Sequence, residues 1–301
     1  MTKPISLAPT PPMDPNPVGS MIRRPGQLIC PQGLIFDKGE RFMRRHMAKL
    51  LATATQNTTE LFALIDGPPG TGKTVLATDA LLRGGFAVAN LPASSLAGAT
   101  ENAATEALTE VLHKLVAHSQ VTGARIAVVV DDFHQSIAGS TDTKVGRTVN
   151  SGLLVNELQR IADPPRKYRN ACGTPITLVF TGNDFSETSP SLFRDMRANR
   201  FTHIPTFEEK VHIVYHLLAP RSREELHLVE KLMRTYRRQP VAFWTALRND
   251  LLTAHLDHAL PDGPLTKAIV DARWPKRLPL DPEIAWPLAR QRAENTLQNH
   301  Y

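Results

Sequence analysis

The chain is 301 residues long, 42% hydrophobic and 21% charged, a balance that excludes a disordered polymer and supports one large core or two modest ones. Its formal net charge of +6 permits contact with nucleic acid or an acidic protein surface, yet the basic residues are spread along the chain and build no recognised nucleic-acid module. Two cysteines, Cys30 and Cys172, lie far apart with no His or Cys at metal-ligand spacing, so neither a disulfide framework nor a zinc site is expected, and a reducing cytoplasm suits the chain.

In chain order, residues 1–27 open with the proline-rich "MTKPISLAPTPPMDPNPVGS", which lacks the apolar centre of a signal peptide and is expected to be a disordered tail. No later apolar run has the length needed to cross a bilayer, so a soluble protein without membrane contact is expected. Residues 34–54 have helical spacing, with Leu34, Phe42, Met47, Leu50 and Leu51 set among basic residues. "ELFALIDG" (60–67) is a short apolar run entering a glycine-rich turn, and residues 73–85 return to helical spacing until Gly84 and Gly85 stop them. "FAVANL" follows as a strand, residues 101–118 as an amphipathic helix, and "RIAVVVDDF" (125–133) as a buried run ending in carboxylates. A helix over 148–162, a strand in "PITLVFTGND" (175–184) and a short strand at 200–204 complete this part. Strands that are apolar throughout and alternate with helices predict a parallel sheet covered on both faces, a doubly wound α/β domain over residues 28–205. Ligands of such sheets sit beyond the carboxyl ends of the strands, where the polar residues of these runs fall.

From Pro205 helices take over. Thr206 with Glu209, and Ser222 with Glu225, have the spacing of capping boxes at the starts of two helices, and a third helix is expected over 241–258. This predicts a small all-helical domain over residues 206–260. Residues 261–301 carry prolines at short intervals, with Trp274 and Trp286 among them, and are expected to be an extension lying across another surface.

The chemistry concentrates in "GPPGTGKT", where Gly67, Pro68, Pro69, Gly70, Thr71, Gly72, Lys73 and Thr74 satisfy the pattern G-x-x-x-x-G-K-[ST] between a strand and a helix. Average composition makes a chance match in a chain this long about a one-in-a-hundred event, so the motif carries weight. The glycines let backbone N–H groups curl around phosphate oxygens, Lys73 reaches the β and γ phosphates of ATP, and the Thr74 hydroxyl ligates Mg2+. The strand-terminal Asp131 is the expected partner of the magnesium through water, and Asp132 stands where a general base would polarise the attacking water. Asn183 ends the next strand and is placed to contact the γ-phosphate and that water.

A phosphate loop, an acidic strand end, a polar residue ending the next strand, an L-x-R-D-x-R segment and a helical lid together resemble the AAA+ ATPases. Residues of about 125–255 are similar to the rubisco activase branch, through "TVNSGLLVNELQRIADPP" (148–165), "TGNDFS" with "SLFRDMR" (181–197) and "PVAFWTALRND" (240–250). The resemblance implies that Asn183 is the first sensor, that Arg194 and Arg197 are fingers reaching the ATP of an adjacent subunit, and that Arg248 is the lid's sensor arginine. It implies a homo-oligomeric ring, six subunits being the family expectation, acting on a protein client that is rubisco or a relative of it. Two positions depart from the branch: Thr245 stands for its glycine, and Asp250 for its second lid arginine. Residues 92–103 and 136–148 occupy the places of the central-pore loops and contain no aromatic residue. Arg200, the third arginine of its cluster, reads as a surface residue. A nucleic-acid-associated ATPase assembling on DNA or RNA, and a nucleotide-dependent scaffold with little turnover, stand as the alternative functions.

Overall fold

The computed structural model describes residues 22–30, 37–52, 59–96, 102–133, 149–164, 166–186, 192, 194, 197–261, 265–275, 277–278 and 280–298. Its strands are β1 (Ile22–Arg23), β2 (Phe62–Asp66), β3 (Ala87–Pro92), β4 (Ile126–Asp131), β5 (Leu178–Thr181) and β6 (Ala198–Thr202). Helices α1 (Asp37–Leu51), α2 (Lys73–Arg83), α3 (Ala103–Thr122) and α4 (Val149–Ala162) belong to the sheet. Helices α5 (Phe207–Leu218), α6 (Arg223–Thr235), α7 (Val241–Ala259), α8 (Lys267–Arg273) and α9 (Pro282–Gln298) follow it.

The sheet order is β1-β3-β4-β5-β2-β6, with every pairing parallel except β1 against β3. The reason lies in the central strands: all five residues of β2 and five of the six in β4 are buried, so both faces of the sheet are covered. Because side chains alternate along a strand, Phe62, Leu64, Val128, Val130 and Phe180 fill one face, beneath α3 and α4. Ala63, Ile65, Ala127, Val129 and Val179 fill the other, beneath α1 and α2. The register Phe62↔Leu178 and Phe62↔Ala198 brings the carboxyl ends of β2, β5 and β6 to one edge. Each covering helix presents one apolar stripe; in α3 it runs Ala104, Leu108, Leu112, Leu115.

The helical part forms its own core, in which Phe243, Trp244, Leu247 and Leu251 of α7 meet Val214 and Leu218 of α5 and Leu228, Val229 and Leu232 of α6. Both capping boxes form, Thr206 Oγ1 accepting from the Glu209 N–H and Ser222 Oγ from the Glu225 N–H. Such a cap stabilises a helix by about 1 kcal/mol.

One expectation is corrected. Residues 22 and 23, assigned to a disordered tail, form β1 and pair Ile22↔Ala89 and Arg23↔Val88, with Ile22 buried in the core. Two residues are too few to show a period, and their strand is made by the edge of β3; residues 1–21 lie outside the described residues. The proline-rich stretch after 260 contributes α9, whose Ala285 and Ala289 are fully buried in the core of α5, α6 and α7. Pro282 there is the first helical residue, a position where its missing N–H costs nothing.

Candidate functional site

The phosphate loop joins β2 to α2, and its glycines answer to close approach. Gly67 has φ 141°, and a Cβ there would collide with the backbone oxygen of His203 after β6. Gly70 has φ 68°, and a Cβ there would collide with Cβ of Ala242, in the first turn of α7. Thr71 Oγ1 donates to Pro68 O at 3.0 Å, and Ala242 N donates to Gly70 O at 3.0 Å, so the loop is tied to itself and to the lid. Lys73, the first residue of α2, is buried; its Nζ donates to Gly67 O (2.9 Å), Pro68 O (2.8 Å) and Asn183 Oδ1 (3.0 Å). Burial pushes its pKa down, while Asp132 most strongly, then Asp131 and Asp66, oppose that push.

The ends of β4 and β5 meet the loop from below. Thr74 Oγ1 donates to Asp131 Oδ1 at 2.6 Å, and the same oxygen accepts from Thr181 Oγ1. Asp132, the next residue, takes a left-handed conformation (φ 53°) and is exposed beside Lys73. A threonine hydroxyl in contact with a carboxylate is a hard-oxygen set of the kind Mg2+ prefers, and Thr74 and Asp131 would hold the ion together with phosphate oxygens.

The loop, Asp131, Asp132 and Asn183 line a cavity of about 600 Å³ whose remaining wall is α7, through Val241, Ala242, Thr245, Ala246 and Asn249. Arg248 is not in that wall. It is partly buried, whereas Ala242, Thr245 and Asn249 form an exposed stripe of α7 that lines the cavity. The lid's polar groups that line the cavity are Thr245 and Asn249. Asp250 is used elsewhere: Arg292 of α9 grips its carboxylate at 2.6 Å through both Nε and one terminal nitrogen.

The three arginines separate. Arg194 is exposed. Arg197, expected beside it as a second finger, is buried and donates to Asp163 Oδ1 (2.8 Å) and Oδ2 (2.6 Å), a bidentate pair at the end of α4. That expectation is corrected, because a side chain 7% exposed and paired within its own chain does not project toward another subunit. Arg200 is half-exposed, but its guanidinium pairs with the buried Asp66 at the end of β2, so it is more than a surface residue.

Sequence reasoning missed Thr181, Asn249 and the Asp66–Arg200 pair. A threonine ending an apolar strand was a signal for the first; the others required the β2–β6 register and the orientation of α7. It also missed Asp79, buried on α2, which accepts from the Ile29 and Cys30 N–H groups at 2.7 and 2.8 Å and fastens the segment before α1 to the phosphate-loop helix. Residues 97–101 and 134–148, including most of the expected pore loops, lie outside the described residues, as do Ser191, Phe193, Asp195 and Met196.

Residues 63–206 match the family model "ATPase family associated with various cellular activities (AAA)". The chain is 32% identical over 136 residues to a ribulose bisphosphate carboxylase/oxygenase activase of Anabaena sp. (strain CA), an alignment covering 43% of this chain and 32% of that protein. It is 27% identical over 212 residues to the chloroplastic activase of Chlamydomonas reinhardtii, covering 68% of this chain and 51% of that one. The chain thus spans about a third to a half of the length of these relatives. Among solved structures, the crystal structure of the FIGL-1 AAA domain superposes with a TM-score of 0.60 over 91% of this chain and 86% of that one, at 14% identity, which speaks for the fold. With its phosphate loop, acidic strand end and helical lid in these positions, the chain is similar to the AAA family over residues 63–206 and resembles the rubisco activase branch of that family.

Proposed function

We propose that this protein binds and hydrolyses Mg-ATP and works as a ring-forming remodeller of a protein client, with a rubisco-like enzyme as the client its relatives suggest. The observation that carries the reading is the cavity shared by Lys73, Thr74, Asp131, Asp132 and Asn183 with the lid helix α7. The loop's N–H groups and Lys73 bind the phosphate chain, and Thr74 with Asp131 holds the magnesium, which when bound neutralises charge on the β and γ phosphates. Asp132 orients the attacking water as base, and Asn183, already in contact with Lys73, positions that water against the γ-phosphate. Arg194 completes the site of the neighbouring subunit and stabilises charge on the transferring group. An arginine in that role is worth about 10³- to 10⁵-fold in rate.

Arg194→Ala is expected to keep ATP affinity and lose nearly all turnover, measured by phosphate release beside binding of a fluorescent nucleotide. Full turnover in that variant would remove the neighbour-supplied arginine from the mechanism. Release of a sugar phosphate from inhibited rubisco would establish the client; salt-dependent DNA binding that stimulates turnover would replace it with nucleic acid. Turnover near zero with tight ATP binding in the native protein would favour a nucleotide-dependent scaffold, for which the short Asp132 side chain leaves room.

A further inference from the structure

We infer that Arg197 and Asp163 form a positioning pair that holds the turn bearing Arg194 in the orientation its reach to a neighbouring subunit requires. This rests on the role proposed above for Arg194. The turn is gripped from three directions. Its own backbone closes with Arg197 N donating to Arg194 O at 3.1 Å and Ala198 N to the same oxygen at 3.4 Å. The first residue of β2 fastens it from the sheet, Phe62 N donating to Arg197 O at 2.9 Å. The Arg197 guanidinium fastens it to the end of α4, where Asp163 N donates to Gln159 O at 3.0 Å and so continues the helix into its carboxylate.

Net stability is a weak reason for such a pair. Removing a guanidinium from water costs several kcal/mol, and a bidentate contact does little more than offset it; an apolar side chain of similar volume would stabilise the fold as well. What the pair adds is direction, because a planar fork on a carboxylate fixes both distance and angle. Arg197 is 7% exposed and Asp163 48% exposed, so the buried partner is the one in the turn. Arg197, first, and then Arg194 and Arg166 hold the Asp163 carboxyl below the usual carboxylate range. Arg194 itself is exposed. The same turn leads straight into β6, whose register with β2 (Phe62↔Ala198 to Asp66↔Thr202) runs to the phosphate loop.

The test uses the full chain, with Asp163→Asn and Arg197→Lys beside Arg194→Ala, measuring ATP turnover and binding of a fluorescent ATP analogue. A shift of about 1 Å in a reacting group costs on the order of 100-fold. Both variants are therefore expected to lose about ten- to a hundredfold in kcat with analogue affinity within about twofold of the native protein. Lysine does not rescue, since a point charge cannot reproduce the fork. Mixing either variant with Lys73→Ala subunits, which lack a working phosphate loop but present an intact Arg194 turn, restores turnover. If Asp163→Asn keeps full turnover while Arg194→Ala is inactive, the positioning pair is wrong and the Arg194 reading stands. Full turnover in Arg194→Ala overturns both. Loss of analogue binding together with turnover, or no recovery on mixing, marks the pair as structural and overturns the inference.

Discussion

Both ends of β2 bury polar side chains, and they use them differently. At the amino end, Glu60 accepts from Lys49 Nζ (3.0 Å), Thr59 Oγ1 (3.2 Å) and Asn199 Nδ2 (3.1 Å), while Arg166 donates to the carbonyls of Thr59 and Ala162. His46, wholly buried on α1, meets Thr177 Oγ1 at 2.9 Å, and that hydroxyl donates to Leu61 O. This end spends its hydrogen-bonding capacity inside the fold. At the carboxyl end, Lys73, Thr74, Asp131 and Asn183 also contact one another, but every one of them lines a cavity. The difference teaches that burial of charge alone does not mark a site; a cavity in common does.

The largest effect should separate the two lysines at these ends. Lys73→Ala removes a partly desolvated charge from the phosphate position and leaves Asp131 and Asp132 without their cation. ATP affinity should fall by about 10²- to 10³-fold, a loss of roughly 3–4 kcal/mol. Lys49→Ala breaks a contact of similar length to Glu60, with a side chain 38% exposed. It should lower stability by no more than about 1 kcal/mol and leave ATP affinity within about twofold. Nucleotide titration of both variants checks the contrast, and equal losses of affinity would abolish it.

Much of the fold was legible before the structure because β2 and β4 are buried on both faces and so read as unbroken apolar runs, and because the two capping boxes are local patterns. The phosphate loop was legible for the same reason, being eight consecutive residues. What the sequence hid depends on pairing between distant elements. Arg197 and Asp163 are 34 positions apart, and Arg200 and Asp66 are 134 apart. A basic cluster on one turn does not reveal which member turns inward, since that is set by where α4 ends. Arg248 and Asn249 are neighbours in sequence, yet of the two only Asn249 lines the cavity, since one residue around a helix changes the direction by about 100°.

A smaller effect belongs to the amino end and depends on pH. Thr177 Oγ1 gives its proton to Leu61 O, so it accepts from His46, whose Nε2 carries the proton; Nδ1 is bare, buried and without a hydrogen-bond partner among the described residues. Burial lowers the His46 pKa to about 4, with Glu60 opposing and Lys49 and Arg166 adding to the shift. Between pH 6.5 and 4 the unfolded chain binds a proton that the folded protein refuses. Stability therefore falls as pH drops through that window, by roughly 3 kcal/mol at its lower end. His46→Gln should flatten this part of the curve in denaturant titrations run at several pH values, without changing ATP affinity at pH 7. Parallel curves for the two proteins would show that His46 does not titrate as its burial demands.

The smallest effect sharpens the carboxyl end itself. Asn249 faces the phosphate loop from α7, and Arg248, one residue earlier, does not. A neutral amide reaching the nucleotide forms one hydrogen bond, worth about 1 kcal/mol, so Asn249→Ala should weaken ATP binding about fivefold. Arg248→Ala should change it by less than about twofold, because its loss removes only a screened charge at a distance. The reverse order, with Arg248 the costlier loss, would mean that α7 rotates when nucleotide binds and exchanges one face for the other. The lid would then act as a moving part, since Gly70 and Ala242 leave no space between loop and helix for a side chain to take up that rotation.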